Sequence, residues 1–224
     1  MIVYTAIFGD IDQLWSASTN GIKHVAFVDS IKEEIDTISC RPTHFPVWEQ
    51  VVVIPKWDNR RTARHYKTMP HLHMPNEDVW IWTDCNVRLT DTPQNIVKAY
   101  LTGEFATFKH PDRDCVYDEA NFCAKVNKDN RETLMSQIER YHKEGMPTHW
   151  GLAETRVVLR RNNSLNNKLD TMWWDEIEHN SLRDQVSMPY VFWKMGLKWD
   201  IIPGRCGPIR PVGPFKYMRH NGRN

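Results

Sequence analysis

Val79-Trp80-Ile81-Trp82-Thr83-Asp84-Cys85-Asn86-Val87 decides how this chain is read. Its first five residues are β-branched or aromatic, types that pack well on a pleated surface, and they end abruptly in polar ones. The pattern predicts a buried strand, Val79 to Thr83, that delivers Asp84 and Asn86 at its carboxyl end. Alternate residues of an extended chain share a face, so the spacing predicts both side chains on one side. Two such oxygen donors suit a hard divalent cation, Mn²⁺ or Mg²⁺, which shares its shell with substrate phosphates. A D-x-N triplet is common by itself; its place at a strand end gives it weight.

Similar strands flank this one. Ile2 to Phe8 reads as a strand ending at Gly9-Asp10, His24 to Val28 as one ending at Asp29, and Val51 to Ile54 as one ending at Pro55. Phe105 to Phe108, Arg156 to Arg160 and Ile201-Ile202 complete the set. Helices are expected over Arg61 to His71, Gln94 to Tyr100, Asp118 to Lys143, Leu169 to Glu178 and Gln185 to Lys194. The tail from Pro203 to Asn224 is rich in Gly, Pro and basic residues and is expected to be irregular. Strands alternating with helices predict an α/β fold, a mixed and mostly parallel central sheet flanked by helices, in one domain over residues 1–224. Ligands of such sheets bind beyond the carboxyl ends of the strands, which marks Asp10, Asp29 and Asp84. The plain alternative is that Asp is a good loop residue.

Composition narrows the function. The 224 residues are 41% hydrophobic and 25% charged, with formal net charge +1. Near-neutrality gives no electrostatic reason for sequence-independent nucleic-acid binding. Basic residues gather locally between Arg60 and Lys67 and near Arg219, which suits a small anionic ligand. Arg60, Arg64 and Lys67 stand at i, i+4 and i+7 and share a predicted helical face, expected to be exposed. Cations there are placed to bind a diphosphate; surface solvation is the rival. Five cysteines, Cys40, Cys85, Cys115, Cys123 and Cys206, show no C-x-x-C spacing. Reduced thiols in a cytoplasmic protein are the simplest expectation. The first residues do not read as a signal peptide, and there is no long apolar run of membrane-spanning length.

Several later segments carry chemistry. Lys109-His110-Pro111-Asp112-Arg113-Asp114 follows a strand, and its density of titratable groups suits acceptor or sugar contacts, with His110 and Arg113 foremost. A salt-bridged structural loop is the rival. Gly151 permits close backbone approach, Glu154 is placed to receive sugar hydroxyls, and Trp150 to stack on a pyranose or pack at an edge. Asp184 precedes an apolar helix and reads as an N-cap, a role compatible with facing a cleft.

Seven blocks occur in order: YTAIFGD, RRTARHYKTMPH, WIWTDCNVRLT, FKHPDRDCVYDEA, GLAETRVVLRR, WWDEI and RDQVSMPYVFWK. Together, from Tyr4 to Lys194, they closely resemble the GT-A glycosyltransferase-like family first catalogued as a domain of unknown function, with plant mucilage-related and bacterial members. More distantly the layout is similar to family-8-type glycosyltransferases. The resemblance implies a GT-A fold, a nucleotide-diphosphate sugar donor (a UDP-sugar) and a divalent metal. Asp84-Cys85-Asn86 takes the place of the D-x-D motif, with Asn86 replacing the second carboxylate. Asp10, Asp29, Arg64, Lys67, Asp84 and Asn86 are then the donor-binding candidates. His110, Arg113, Gly151, Glu154 and Gln185 are the acceptor or sugar contacts. His220 joins Asp84 and Asn86 as a metal ligand. Asp184 sits where such enzymes place a carboxylate near the anomeric carbon, as general base if configuration inverts, or as a stabiliser of oxocarbenium-like charge if it is retained. The acceptor is expected to be a glycan. Two alternatives stand beside this reading. A nucleotidyltransferase would want a Gly-rich loop where only Gly9 is present, and a non-catalytic sugar-binding module would not need both Asp84 and Asp184.

Overall fold

In a computed structural model, residues 1–10, 12–16, 21–35, 47–204 and 213–218 are described. In chain order the elements are β1 (Ile2–Ile7), β2 (Leu14–Trp15), β3 (His24–Val28), β4 (Glu34–Ile35), β5 (Trp48–Val52), α1 (Asn59–Thr68), α2 (Pro70–His73), β6 (Val79–Thr83) and β7 (Val87–Leu89). There follow α3 (Pro93–Tyr100), β8 (Phe105–Lys109), α4 (Val116–Lys125), α5 (Arg131–Lys143), β9 (Ala153–Arg161), α6 (Ser164–His179), α7 (Asp184–Lys194), β10 (Asp200–Ile202) and β11 (Phe215–Tyr217).

Seven strands form one sheet in the order β10-β8-β9-β6-β1-β3-β5. Only β9 runs against its neighbours, β6 and β8; the remaining pairs are parallel. The expected α/β architecture with a mixed, mostly parallel sheet is what the chain adopts. Both faces of the sheet are covered, which is why β1, β3 and β6 read as continuous apolar runs. Ile2, Tyr4, Trp80 and Trp82 enter one core with residues of α4 to α7. Val3, Ile7, Val79 and Ile81 enter the other, with Ile96 of α3 and Phe215 of β11. Trp80 and Trp82 have almost no solvent exposure; truncating either to Ala would cost about 3–5 kcal/mol.

Some boundaries differ from the sequence reading. The helix expected over Arg61 to His71 breaks at Met69, because Pro70 disfavours helical geometry in the residue before it. The stretch Asp118 to Lys143 is two helices. Asn127 takes a left-handed φ of 53°, and Asn130 caps α5 by accepting from the Thr133 amide at 2.9 Å. The strand expected over Val51 to Ile54 begins earlier, at Trp48. The tail is not wholly irregular, since Phe215–Tyr217 pairs antiparallel with Val87–Leu89.

Candidate active site

Parallel pairing aligns the carboxyl ends of β6, β1 and β3 on one edge, with Tyr4 beside Trp82 and Val25 beside Tyr4. Asp84, Asp10 and Asp29 therefore follow neighbouring strands on the same side of the sheet. Asp29 accepts from the Gly9 amide at 2.7 Å and pairs with Lys32 at 2.8 Å. The Lys32 hydrogen bond leads the effects that hold its carboxyl below the usual range. Asp10 projects fully into solvent, 3.7 Å from the same lysine. Lys32 had no motif to mark it.

Asp84-Cys85-Asn86 is a turn, not an extended segment. The Val87 amide donates to the Asp84 carbonyl at 2.8 Å, and the Asn86 carbonyl accepts from the Met218 amide at 2.7 Å. The alternation argument therefore does not apply, and the two side chains differ in environment: Asp84 is 29% exposed while Asn86 is buried. Asp84 Oδ1 accepts from Trp82 Nε1 at 3.0 Å, so the strand that presents the carboxylate also orients it. His220 lies outside the described residues, as do Cys40, Cys206 and Arg219. Cys85, Cys115 and Cys123 are free thiols.

Helix α1 brings the cations. Asp58 caps it by accepting from the Arg61 amide at 3.0 Å, and Arg61 ties it to the end of α6 by donating to the Glu178 carbonyl at 2.6 Å. This docking presses the far end of α1 against the sheet. Lys67 is thereby buried rather than exposed, which corrects the expectation of a solvated basic face. Its Nζ donates to Asp184 and lies 4.0 Å from Asp84 Oδ1. Arg64 Nε stands 3.6 Å from Asp184, and Arg60 is exposed. Burial disfavours the Lys67 ammonium, an effect opposed by Asp184 and Asp84.

Asp184 is the first residue of α7; the N-cap position falls to Arg183, and no side chain caps this helix. The N-cap role expected for Asp184 is thus not the one it takes. Its buried carboxylate instead accepts from Thr155 Oγ1 at 2.8 Å and from Lys67. Burial alone would raise its pKa, but Arg64, Lys67 and Arg183 outweigh it and hold the group far below the usual carboxylate range. Thr155 reaches this position because β9 bulges. Against β8 the register jumps from Thr107 opposite Val158 to Phe108 opposite Glu154, leaving residues 155–157 unpaired on that side. Neither Thr155 nor Arg183 carries a motif, and for Thr155 the reason is that a bulge has no signature in these residue types.

Beneath the site, Arg160 and Asp170 form an ion pair with no solvent exposure. Arg160 and Tyr4 both donate to the Lys67 carbonyl, Tyr4 at 2.9 Å, which fixes the backbone that carries the lysine.

The other candidates are committed within the fold. His110 Nδ1 accepts from the Asp112 and Arg113 amides at 3.2 and 3.1 Å. Arg113 donates to Glu119 at 2.6 Å. The loop after β8 is therefore tied to α4 by an ion pair. Gly151 adopts a φ of +128° and lies close to Trp199. Glu154 pairs with Arg156 at 2.9 Å, and Gln185 accepts from Arg183 at 3.0 Å. Trp150 meets Trp199 and carries Lys198 Nζ 3.5 Å over its ring.

A mostly parallel sheet gathering acids and bases at its carboxyl edge defines a class of α/β proteins whose ligands bind at that edge. Within that class the chain belongs to the TOD1/MUCI70 glycosyltransferase-like domain family, whose model matches residues 1–202. It is 27% identical over 226 residues to the probable hexosyltransferase MUCI70 of Arabidopsis thaliana, covering 90% of this chain and 39% of that protein. It is 24% identical over 221 residues to the alkaline ceramidase TOD1 of the same plant, covering 85% of this chain and 48% of that one. The chain thus spans less than half the length of these curated relatives. Among solved structures, it resembles the bifunctional glycosyltransferase WbbM (8% identity, TM-score 0.49, 90% of this chain and 38% of that one). It also resembles the galactosyltransferase LgtC (10% identity, TM-score 0.47, 87% and 70%). Among the described residues no helix is long and apolar enough to cross a membrane.

Proposed function

We propose that the carboxyl edge of β6 binds a nucleoside-diphosphate sugar, a UDP-sugar in the simplest case, and transfers the sugar to a hydroxyl of a glycan. The observation that carries this reading is the convergence of Arg64 and Lys67 on Asp184 beside Asp84. In the transfer, the bond between the anomeric carbon and the phosphate oxygen breaks, and its electron pair leaves on the diphosphate. The acceptor oxygen bonds to the anomeric carbon and loses its proton. Negative charge grows on the leaving group, and preformed cations there lower the barrier most effectively in a site shielded from water.

Asp184 suits the electrostatic role better than the basic one. A general base works best with a pKa near the working pH, whereas three cations hold this carboxylate ionised and weakly basic. We assign it to holding Lys67 and Arg64 in place and to offsetting positive charge at the anomeric centre. Asp10 and Asp29 would border the nucleoside; His110, Arg113, Gly151, Glu154 and Gln185 would line the acceptor side through the surfaces their internal bonds leave open.

The residues fit a Mn²⁺ or Mg²⁺ ion of limited charge. Asp84 offers one accessible carboxylate; Asn86, being buried, would add its neutral oxygen only by turning outward. His220 is a further candidate, and such ions complete their shells with water and phosphates. When bound, the ion would supply charge neutralisation to the diphosphate. With a single carboxylate and Lys67 nearby, binding of the metal depends on the donor arriving with it.

The relative named as a ceramidase raises amide hydrolysis as a rival. A cation-lined site suits an anionic leaving group rather than a neutral lipid amide. Incubation with UDP-, GDP- and CDP-sugars and a panel of glycans tests the proposal: acceptor-dependent release of nucleoside diphosphate supports it. Ceramide cleavage without any nucleotide-sugar turnover refutes it.

A further inference from the structure

A second group of ligating side chains lies away from the cations of α1. Cys115, Asp118 and His149 bring one sulfur, one carboxylate oxygen and one imidazole nitrogen within 4.8 Å of one another. Cys115 occupies the N-cap position of α4, yet its side chain makes no capping hydrogen bond. Asp118 stands three residues later, on the same face of the first turn. His149 comes from the loop before β9, with a left-handed φ of 54°.

That conformation is uncommon for a residue with a Cβ and persists where surroundings hold it. Here His149 Nδ1 bonds Asp114 at 2.7 Å, and the Gly151 amide donates to the Asp114 carbonyl at 3.1 Å. The loop is thus pinned to the segment that leads into α4. A carboxylate on one imidazole nitrogen fixes the ring and leaves Nε2 as the ligating atom, the usual arrangement behind a metal-bound histidine.

We propose that Cys115, Asp118 and His149 form a binding site for a borderline transition-metal ion of the Zn²⁺ type, oriented by Asp114. A thiolate, an imidazole and a carboxylate are the donors such an ion takes, whereas Mn²⁺ and Mg²⁺ prefer the oxygen donors at Asp84. Bond lengths of about 2.0–2.3 Å place tetrahedral ligand atoms roughly 3.3–3.8 Å apart, so the ion need draw these groups together by only about 1 Å. Cys115 is buried while Asp118 and His149 face solvent, which leaves a fourth position for water or a substrate oxygen. The ion staples the loop before β9 to the start of α4, at the same carboxyl edge of the sheet as the proposed sugar site.

The test is titration of metal-free protein with Co²⁺ and Zn²⁺, read by absorption and calorimetry. One Co²⁺ per chain is expected, with a thiolate-to-cobalt charge-transfer band that Zn²⁺ displaces. Cys115→Ser should remove the band, while Cys123→Ser and Asp84→Ala keep it. Since Cys115 is buried, the exposed positions provide a second arm. His149→Ala should weaken Zn²⁺ binding more than 10-fold, and Asp114→Asn about 10- to 100-fold. No thiolate band in the wild type, or a band that survives Cys115→Ser, or affinity unchanged in His149→Ala, overturns the site. None of these readouts involves a nucleotide sugar, so failure here and failure of the proposed transferase activity are told apart.

Discussion

Lys67 and Asp184, 117 positions apart in the chain, form an ion pair with almost no access to water: their side chains are 1% and 3% exposed. A buried pair stabilises little compared with apolar residues of the same size, but removing one partner strands the other charge. Lys67→Met should therefore lower stability by about 3–5 kcal/mol, well beyond the cost of truncating a surface lysine. Chemical denaturation checks this. A loss under about 1 kcal/mol, the usual worth of an exposed pair, would mean the ammonium is solvated.

Arg64 differs from its neighbour in keeping part of its side chain in water. Arg64→Ala should leave the fold standing and weaken binding of a nucleoside diphosphate. Losing one charge-assisted contact, worth about 1.5–3 kcal/mol, corresponds to roughly 10- to 100-fold in Kd. Titration calorimetry of wild type against variant decides the point, and equal affinities would return Arg64 to holding Asp184 only.

The strands were legible because β1, β3 and β6 are apolar on both faces and end in Asp, and the gathering of Asp10, Asp29 and Asp84 on one edge follows from parallel order. The basic residues of α1 were visible too. Their burial was not, because it depends on Arg61 docking the helix to the end of α6, a contact across 117 positions. Thr155 was illegible for a related reason: only the β8–β9 register shift turns it towards Asp184. Asp184 before an apolar helix carries a cap signal alongside its expected place near the anomeric carbon; tertiary cations outcompete the local capping role. His110 and Arg113 stand in a loop dense in titratable groups; the amide contacts of His110 and the Arg113–Glu119 pair that hold it have no signature in that composition.

Asp184→Asn tests the assigned role. Asn keeps the shape and still accepts from Thr155, but removes the charge that Lys67 and Arg64 face. Transfer should fall on the order of 10²-fold, the range for loss of one preorganised electrostatic group, and the protein should lose stability because Lys67 is left without its counter-charge. Steady-state kinetics at a temperature well below the variant's Tm separates the two effects. Wild-type turnover in the folded variant would remove Asp184 from the chemistry.

Acid should destabilise the protein in two windows. His73 packs 4.2 Å from Tyr66 between ring centroids, and burial, with His65 and His71 nearby, pushes its pKa down to about 4. A histidine held neutral stabilises the fold above its unfolded pKa, and that contribution is lost as pH falls from about 6.5 towards 4. Asp184, also depressed, contributes above the unfolded carboxylate value of about 4 and loses that contribution only as pH drops further. His73→Phe should reduce the slope of the upper window, which His24, His65 and His110 share, by on the order of 2 kcal/mol once the roughly 3 kcal/mol of the shift is discounted for partial solvent exposure, and leave the lower one in place. An unchanged slope between pH 6.5 and 4 would show that His73 protonates without cost.

In the proposed transfer, donor and cation meet at Asp84. Thermal denaturation of the wild type and of Asp84→Ala, each with UDP and Mn²⁺ added separately and together, tests it most directly, since a ligand that binds the native state raises Tm. The wild type should show a clear rise when both are present, little with Mn²⁺ alone, and Asp84→Ala no joint effect. Equal stabilisation of wild type and variant would contradict it.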